Sequence, residues 1–324
     1  MSSKIESKKY LVIGTSNSIV KGGWFDGFKE QLEVEVDRVA LGGAPFTQFF
    51  SKLPNINFSD YSLVILECSP NDETYADKVG FSWYFDTLYQ NFLAMITQYT
   101  KLVILRVPTL QFIAKPSAVW RRQKAIALNL NVKTYDITEV LVGENAVEND
   151  LTLFYRDRDH PLTTDMNNVG KSFAKWLKLS IPDLPTPIGI KPSFKIYKEC
   201  IASEKKTKVF NSLVDEEFCI LSVGQSYKFS KPGVCIGFYI DAGNSWACLK
   251  LHGLDDEIRY SFIFFDSEKN KGHMKFVPIK NSFYLKAVSV VPAYKAVDYG
   301  LHSNVPLDGE NTIAFGEFVF LNSI

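Results

Sequence analysis

Apolar runs of strand length punctuate the first half of the chain. Tyr10 to Ile13, Val34 to Leu41, Leu63 to Leu66, Leu102 to Leu105 and Val132 to Ile137 read as strands, because short apolar runs bounded by polar residues fit buried sheet positions. The intervening segments carry a different period. Ser16 to Leu32, Gly80 to Thr100, Ser117 to Asn129 and Val169 to Leu179 read as helices, and in the second of these Phe85, Leu88, Phe92 and Met95 recur at helical spacing. Pro45 to Leu53 fills the gap between the second and third strands. Strand and helix in alternation predict a three-layer α/β/α sandwich around a parallel sheet.

Past residue 180 the pattern changes. Pro182, Pro185, Pro187 and Pro192 interrupt the chain, and such a cluster marks a domain boundary. The expected division is a first domain over 1–182, a Pro-rich linker over 183–193 and a second domain over 194–324. In the latter, Val209 to Val214, Phe218 to Val223, Val234 to Ile240, Trp246 to His252, Arg259 to Phe265, Phe283 to Val291 and Ile313 to Leu321 are β-rich runs separated by turn signals such as Asp241-Ala242-Gly243-Asn244. These predict an antiparallel β-sandwich or jelly roll. Trp246, Tyr239, Tyr260 and Tyr294 are candidate platforms for stacking sugars, although strand alternation favours the core for most of them. A glycan-binding role, a role bordering the catalytic cleft and self-association as a homo-oligomer all remain open for this domain.

Composition narrows the partners. The 36 basic and 36 acidic residues cancel, which argues against a nucleic-acid or polyanion binder. No stretch approaches the roughly 18 to 20 apolar residues needed to span a bilayer, and the polar start of the chain does not resemble a signal peptide, so a cytoplasmic location is expected. The 5 cysteines include no close pair of the kind that ligates zinc, and Cys68, Cys200, Cys219, Cys235 and Cys248 are expected to pack as small hydrophobes. His252, His273 and His302 are isolated, so no metal site is expected.

Four polar blocks carry the candidate chemistry: Gly14-Thr15-Ser16-Asn17-Ser18, Gly42-Gly43, Ser69-Pro70-Asn71-Asp72 and Asp157-Arg158-Asp159-His160. Taken singly, each has an ordinary reading as a strand-to-helix turn with an N-cap serine, a loop, a turn and a charge run before a proline. Taken together, they supply the parts of a nucleophilic site. A serine hydroxyl attacks only when a neighbouring base takes its proton, and histidine, with an unperturbed pKa of about 6.5, does this near neutrality. His160 is the sole histidine before residue 252, so a serine–histidine mechanism in the first domain pairs Ser16 with His160. Asp157, three residues before it, can orient the imidazole, with Asp159 as the fallback. The oxyanion formed on attack needs preset donors, each worth roughly a hundredfold to a thousandfold in rate. The Ser16 amide, a glycine amide from Gly42 or Gly43 and the Asn71 side chain are the candidates. The first three blocks follow predicted strands, where ligand crevices of open parallel sheets lie. Ser16 is also expected to open a helix whose N-terminus favours negative charge.

The order of these blocks resembles that of the SGNH hydrolases, also called GDSL esterases, over roughly residues 8 to 180. The resemblance implies a flavodoxin-like sheet, Ser16 as nucleophile, His160 and Asp157 as its partners, and an oxyanion hole from Ser16, glycine and Asn71. It favours Gly43, before Ala44-Pro45, over Gly42. Two positions depart from the family pattern: Thr15 stands where aspartate is usual, and Ser69 where glycine is usual.

Three function classes follow. The first is a serine esterase that removes an O-acetyl or other acyl group from a saccharide or polysaccharide through acyl-Ser16, with no cofactor. The second is an O-acetyltransferase acting on a bacterial-type surface polysaccharide or its precursor, with acetyl-CoA as donor; Arg156, Arg158, Arg121 and Arg122 are candidates to hold an anionic donor or an acidic sugar, against their commoner reading as solvated surface. The third is a non-catalytic glycan-binding protein.

Overall fold

The computed structural model describes residues 9–79, 83–138, 151–185, 191–210, 215–263, 274–292, 299–302 and 311–323. The chain divides into two compact units, Met1–Pro192 and Ser193–Ile324.

The first unit is built on five parallel strands, β1 (Lys9–Gly14), β2 (Val36–Ala40), β3 (Tyr61–Glu67), β4 (Lys101–Arg106) and β5 (Lys133–Asp136), in the order β2-β1-β3-β4-β5. That is the flavodoxin-like order, in which the chain reverses its direction of travel between β1 and β3 and leaves a crevice at their carboxyl ends. From Leu63 onward β3 is buried, as is β4 from Leu102, because helices cover both faces.

The helices are α1 (Ser16–Ile19), α2 (Trp24–Glu30), α3 (Ser69–Val79), α4 (Trp83–Thr97), α5 (Leu110–Ile113), α6 (Ala118–Asn129) and α7 (Thr163–Ser180). Trp24 and Phe28 of α2 and Val169, Phe173 and Leu177 of α7 pack with Val12, Ile65, Val103 and Leu105 in one core. Strand alternation turns Ile13, Val64 and Ile104 to the opposite face. There Phe46 meets Phe85, Tyr89 and Phe92 edge-on, with ring centroids 5.0 to 5.5 Å apart.

Three local expectations change. The helix expected over Ser16 to Leu32 is two helices, because the Gly22-Gly23 pair interrupts it and Gly22 adopts φ +74. Pro45 to Leu53 forms short 3₁₀ turns, Phe46–Phe49 and Leu53–Asn55 being those whose bounds fall here. Ser69-Pro70-Asn71-Asp72 is the first turn of α3, where a proline is tolerated because the amide it lacks has no intrahelical acceptor.

The second unit contains β6 (Phe194–Cys200), β7 (Lys206–Phe210), β8 (Asp215–Ser222), β9 (Ser226–Asp241), β10 (Trp246–His252), β11 (Glu257–Ile263), β12 (Met274–Val291), β13 (Tyr299–His302) and β14 (Thr312–Ser323). Their pairing is antiparallel except for β11 with β13, and hydrogen bonds link all nine into one sheet. The expected antiparallel domain is observed, with its sheet curled onto itself rather than parted in two. β10 and β14 are three places apart, about 14 Å in a flat sheet. Yet the Ala314 amide on β14 donates to Ser245 Oγ, just before β10, at 3.3 Å. Bulges in the pairing of β9 with β12 and β14 permit the bend. Leu249, Phe238, Phe283, Phe315 and Phe318 lie in the single core so enclosed.

Among the candidate platforms, Tyr239 and Tyr260 are core residues: both are 2% exposed, and the Tyr260 hydroxyl donates to the Pro278 carbonyl. Trp246 is half-buried, and Tyr294 lies outside the described residues. Of the cysteines, Cys200 departs from the expected packing and is exposed on β6. His252 Nε2 lies 2.7 Å from Ser289 Oγ, while His273 and the side chain of His302 lie outside the described residues. Among the described residues no helix is long and apolar enough to cross a membrane.

Candidate active site

Strand register sets the site. Gly14 of β1 pairs with Ala40 of β2 on one side and with Glu67 of β3 on the other. Ser16, Gly42 and Ser69 each lie two residues beyond one of these partners, so three separate blocks leave the sheet at one level. Two hydrogen bonds tie them together. The Leu41 amide donates to the Gly14 carbonyl at 3.0 Å, and the Phe46 amide donates to Asp72 Oδ1 at 2.7 Å.

The fourth block arrives from a loop. Tyr155 and Pro161 form an isolated antiparallel bridge, and the Arg156 amide donates to the His160 carbonyl at 2.9 Å, closing a tight turn. The turn is docked on the segment after β4: the Tyr155 hydroxyl donates to the Pro108 carbonyl at 2.6 Å and the Leu110 amide to the Arg158 carbonyl at 3.0 Å. His160 is thereby held at the carboxyl edge of the sheet. Its Nε2 stands 3.0 Å from Ser16 Oγ, across a sequence separation of 144 residues.

Asp157 occupies the other side of the ring. Its Oδ1 lies 2.8 Å from His160 Nδ1 and also accepts the Asp159 and His160 amides, each at 2.9 Å. Partial burial works to raise the Asp157 pKa, but the Asp159 amide and the His160 ring and amide outweigh it and lower the carboxyl to about 2. Asp157 therefore remains an ionised acceptor through the ordinary pH range, which favours the tautomer with hydrogen on Nδ1 and a free Nε2 facing the serine. Asp159 contributes its backbone amide, not its carboxylate, to this arrangement.

Among the oxyanion candidates, Asn71 Nδ2 is buried and has no acceptor among the described residues, which leaves it available to a ligand oxygen. Gly42 and Gly43 are exposed; Gly43 adopts φ +68, a backbone region that glycine enters without strain. The Ser16 amide lies in the first turn of α1, where helical geometry supplies no acceptor. That helix has four residues, too few for the dipole contribution expected from the sequence.

The arginines separate into two groups. Arg156 and Arg158 sit on the His160 turn, Arg156 Nε 3.3 Å from Asp157 Oδ2 and Arg158 bonded to Gln111 Oε1 at 3.1 Å. Arg121 and Arg122 are on α6, where Arg121 donates to the Pro116 carbonyl and Arg122 pairs with Asp86.

Three buried charged residues escaped the sequence reading. Glu67 ends β3 beneath Ser16 and accepts from Thr15 and Ser18. Asp72 accepts from Phe46 and from Gln123 Nε2. Arg106 bridges Glu73 at 3.2 Å and Asp136 at 2.9 Å with no exposed side-chain surface. The available signal was a charged residue closing each apolar run: Glu67 after Leu63 to Leu66, and Arg106 after Leu102 to Leu105.

No protein-family model matches the chain, and no curated protein matches it in sequence. Solved structures do match its fold. One is a two-domain esterase active on acetylated mannans, co-crystallised with mannopentaose; it shares 11% identity and a TM-score of 0.66, over 98% of this chain and 92% of that one. Others match in part: a lipase/acylhydrolase from Enterococcus faecalis (14% identity, TM-score 0.41, 55% of this chain and 98% of that one) and an acetyl xylan esterase (12% identity, TM-score 0.40, 52% and 99%). The two-domain esterase thus shares the fold of this protein along nearly the whole chain.

Proposed function

We propose that this protein is a serine esterase that removes an O-acetyl group from a carbohydrate through an acyl-Ser16 intermediate. The reading is carried by one observation: Ser16 Oγ and His160 Nε2 stand 3.0 Å apart, with Asp157 on the far ring nitrogen. In this reading His160 Nε2 takes the hydroxyl proton as Ser16 Oγ attacks the ester carbonyl. The charge passes to the carbonyl oxygen, where the amides of Ser16 and Gly43, or Gly42, and Asn71 Nδ2 receive it. Collapse breaks the bond to the sugar oxygen, which leaves with the proton held on His160. Water then attacks acyl-Ser16, its proton going to His160 Nε2, and acetate departs as Ser16 Oγ recovers a proton. Each step uses this chain's own side chains and amides together with water.

The choice of a carbohydrate ester rests on the two-domain esterase active on acetylated mannans, whose fold accounts for both units of this chain. The first test is acetate release from a panel of O-acetylated saccharides, acetylated mannan included, with Ser16→Ala as the control. Release that disappears in the folded variant supports the reading and identifies the sugars that fit. If no member of the panel releases acetate, labelled acetyl-CoA with the same saccharides separates the remaining classes. Transfer of label to sugar would make the protein an O-acetyltransferase, and no turnover in either assay would reject an enzyme of this kind.

A further inference from the structure

Glu67 takes no part in the steps above, yet it is fully buried directly beneath them. Its Oε2 accepts the Thr15 amide at 3.1 Å, the Thr15 hydroxyl at 2.9 Å and the Ser18 hydroxyl at 2.8 Å. The donors bracket the nucleophile, one residue before Ser16 and two after it. Gly14 makes the grip possible, because a Cβ there would come within 2.0 Å of Ser18 Oγ and 3.4 Å of Glu67 Oε2. Arg38 on β2 adds a contact on the same turn, donating to the Ser18 carbonyl at 2.7 Å.

Stability alone does not account for a carboxyl in this place. Removing a carboxyl from water is costly, and burial opposes its charge even with these donors in place. What a carboxyl adds is several directed acceptor positions, all aimed here at the turn that carries Ser16. We propose that Glu67 is the positioning residue of the nucleophile, fixing the backbone on both sides of Ser16 so that its hydroxyl meets His160 and its amide faces the oxyanion.

Ionised, Glu67 accepts from all three donors through charge-assisted bonds; a proton on Oε1 leaves Oε2 as the acceptor but removes the charge that strengthens them. Burial raises the Glu67 carboxyl to about 7 against the pull of Ser18 and Thr15, so this exchange falls near neutrality. The Glu67 charge is felt in turn by Asp72 on α3, raised to about 8 chiefly by burial, and by Cys68, raised by burial well above its ordinary value. The grip strengthens as pH rises through the Glu67 transition.

The inference rests on Ser16 as nucleophile but not on the saccharide, so its test uses reagents that need no sugar. The full-length protein and Glu67→Gln, Glu67→Asp and Ser18→Ala would be compared by the rate at which a fluorophosphonate labels Ser16 and by kcat and KM on 4-nitrophenyl acetate, each across pH, with Ser16→Ala as the blank. Glu67→Gln is expected to slow labelling and kcat roughly tenfold to a hundredfold, the scale of a misplaced reacting group. KM should stay within about twofold, so that the loss falls on kcat and not on binding. Ser18→Ala, which removes one donor, should give a smaller loss in the same direction. A purely structural role would lower the melting temperature and leave the rate per folded molecule unchanged, and that result overturns the proposal. If Glu67→Gln does not fold, Glu67→Asp and Ser18→Ala decide by the same readouts. Wild-type protein that takes no label overturns the serine mechanism and this inference with it; labelled wild-type protein with an unimpaired Glu67→Gln overturns this inference alone.

Discussion

The Phe46 amide donates to Asp72 Oδ1 at 2.7 Å, and this bond joins the loop of Gly42 and Gly43 to the helix of Asn71. Two of the three candidate oxyanion donors thus hang from one carboxyl that is 1% exposed and braced on its other oxygen by Gln123 at 2.8 Å. The relative placement of the glycine and asparagine blocks depends on a residue that neither touches substrate nor belongs to the triad.

Asp72 also predicts how stability varies with pH. Burial raises it from 3.8 to about 8 despite hydrogen bonds from Phe46 and Gln123, so over that window the folded state holds a proton that the unfolded chain releases. Its contribution is fully present below the unfolded value, declines as pH rises through the window and is lost above the folded value. Glu67, raised from 4.5 to about 7, acts in the same direction. Urea denaturation at intervals from pH 4.5 to 8.5 should show stability falling for the wild type and falling less for Asp72→Asn. Parallel curves would mean that Asp72 does not bind the extra proton.

The two glycines should separate on substitution. A Cβ at either position meets nothing within 4 Å, but Gly43 has φ +68 and Gly42 does not lie in that region. Gly42→Ala is therefore expected to preserve melting temperature and kcat. Gly43→Ala should cost about 1 kcal/mol in backbone strain and lower kcat as its amide is displaced. Equal kcat losses in the two variants would remove the preference for Gly43 as the donor.

Asn71→Ala should fold, because Nδ2 makes no bond to the described residues, and should lower kcat by roughly a hundredfold with little change in KM. A steady-state comparison on an aryl acetate decides it. An unchanged kcat would remove Asn71 from the oxyanion hole.

How much of this was legible in the sequence depends on whether a residue's role is local. Ser16, Asn71 and His160 follow or precede recognisable elements, and spacing alone put Asp157 within reach of its histidine. The strand positions also followed from apolar runs that both faces of a parallel sheet demand, whereas the β2-β1-β3-β4-β5 order was implied only by the family resemblance, because apolar runs do not say which strands are neighbours. The long-range pairs were not legible. Glu67 meets Ser18 over 49 positions and Asp72 meets Gln123 over 51, and a lone acid at a strand end gives no sign of its partner. β6 was missed because Lys195, Lys198 and Glu199 hide its strand period, and its pairing with β14 involves a segment more than a hundred residues away. The helix beginning at Ser69 was hidden by residues that serve turns and first helical turns equally well.

Asp157 should separate catalysis from stability. Its side chain is 47% exposed, so Asp157→Ala is expected to leave the melting temperature near that of the wild type. Loss of the ring's orienter should lower kcat by roughly a hundredfold to ten-thousandfold. Because the carboxylate also holds the Asp159 and His160 amides, Asp157→Asn, which keeps one acceptor oxygen, should retain more of the turn than alanine. Activity of Asp157→Ala close to that of the wild type would transfer the orienting role to another group.

Arg106 should show the reverse pattern, with large effects on folding and indirect ones on rate. At the end of β4 it joins Glu73 on α3 and Asp136 at the end of β5, and it also donates to the Phe112 carbonyl at 2.9 Å. Glu73 lies two residues after Asn71 and takes a further bond from Ser117 Oγ at 3.0 Å, so the cation anchors the helix that presents the oxyanion donor. Burial raises the Glu73 pKa and Arg106 draws it back down. Arg106→Met would leave two buried carboxyls without their cation, a loss of about 3 to 5 kcal/mol. The penalty should grow with pH, since the carboxyls escape it only by binding protons. Neutralising all three residues in Arg106→Met/Glu73→Gln/Asp136→Asn should recover part of the loss, because the unpaired charges are then gone. Urea denaturation of the single and triple variants distinguishes the cases: a single variant that costs less than about 1 kcal/mol would place this network among weak surface pairs and leave α3 anchored by its apolar packing.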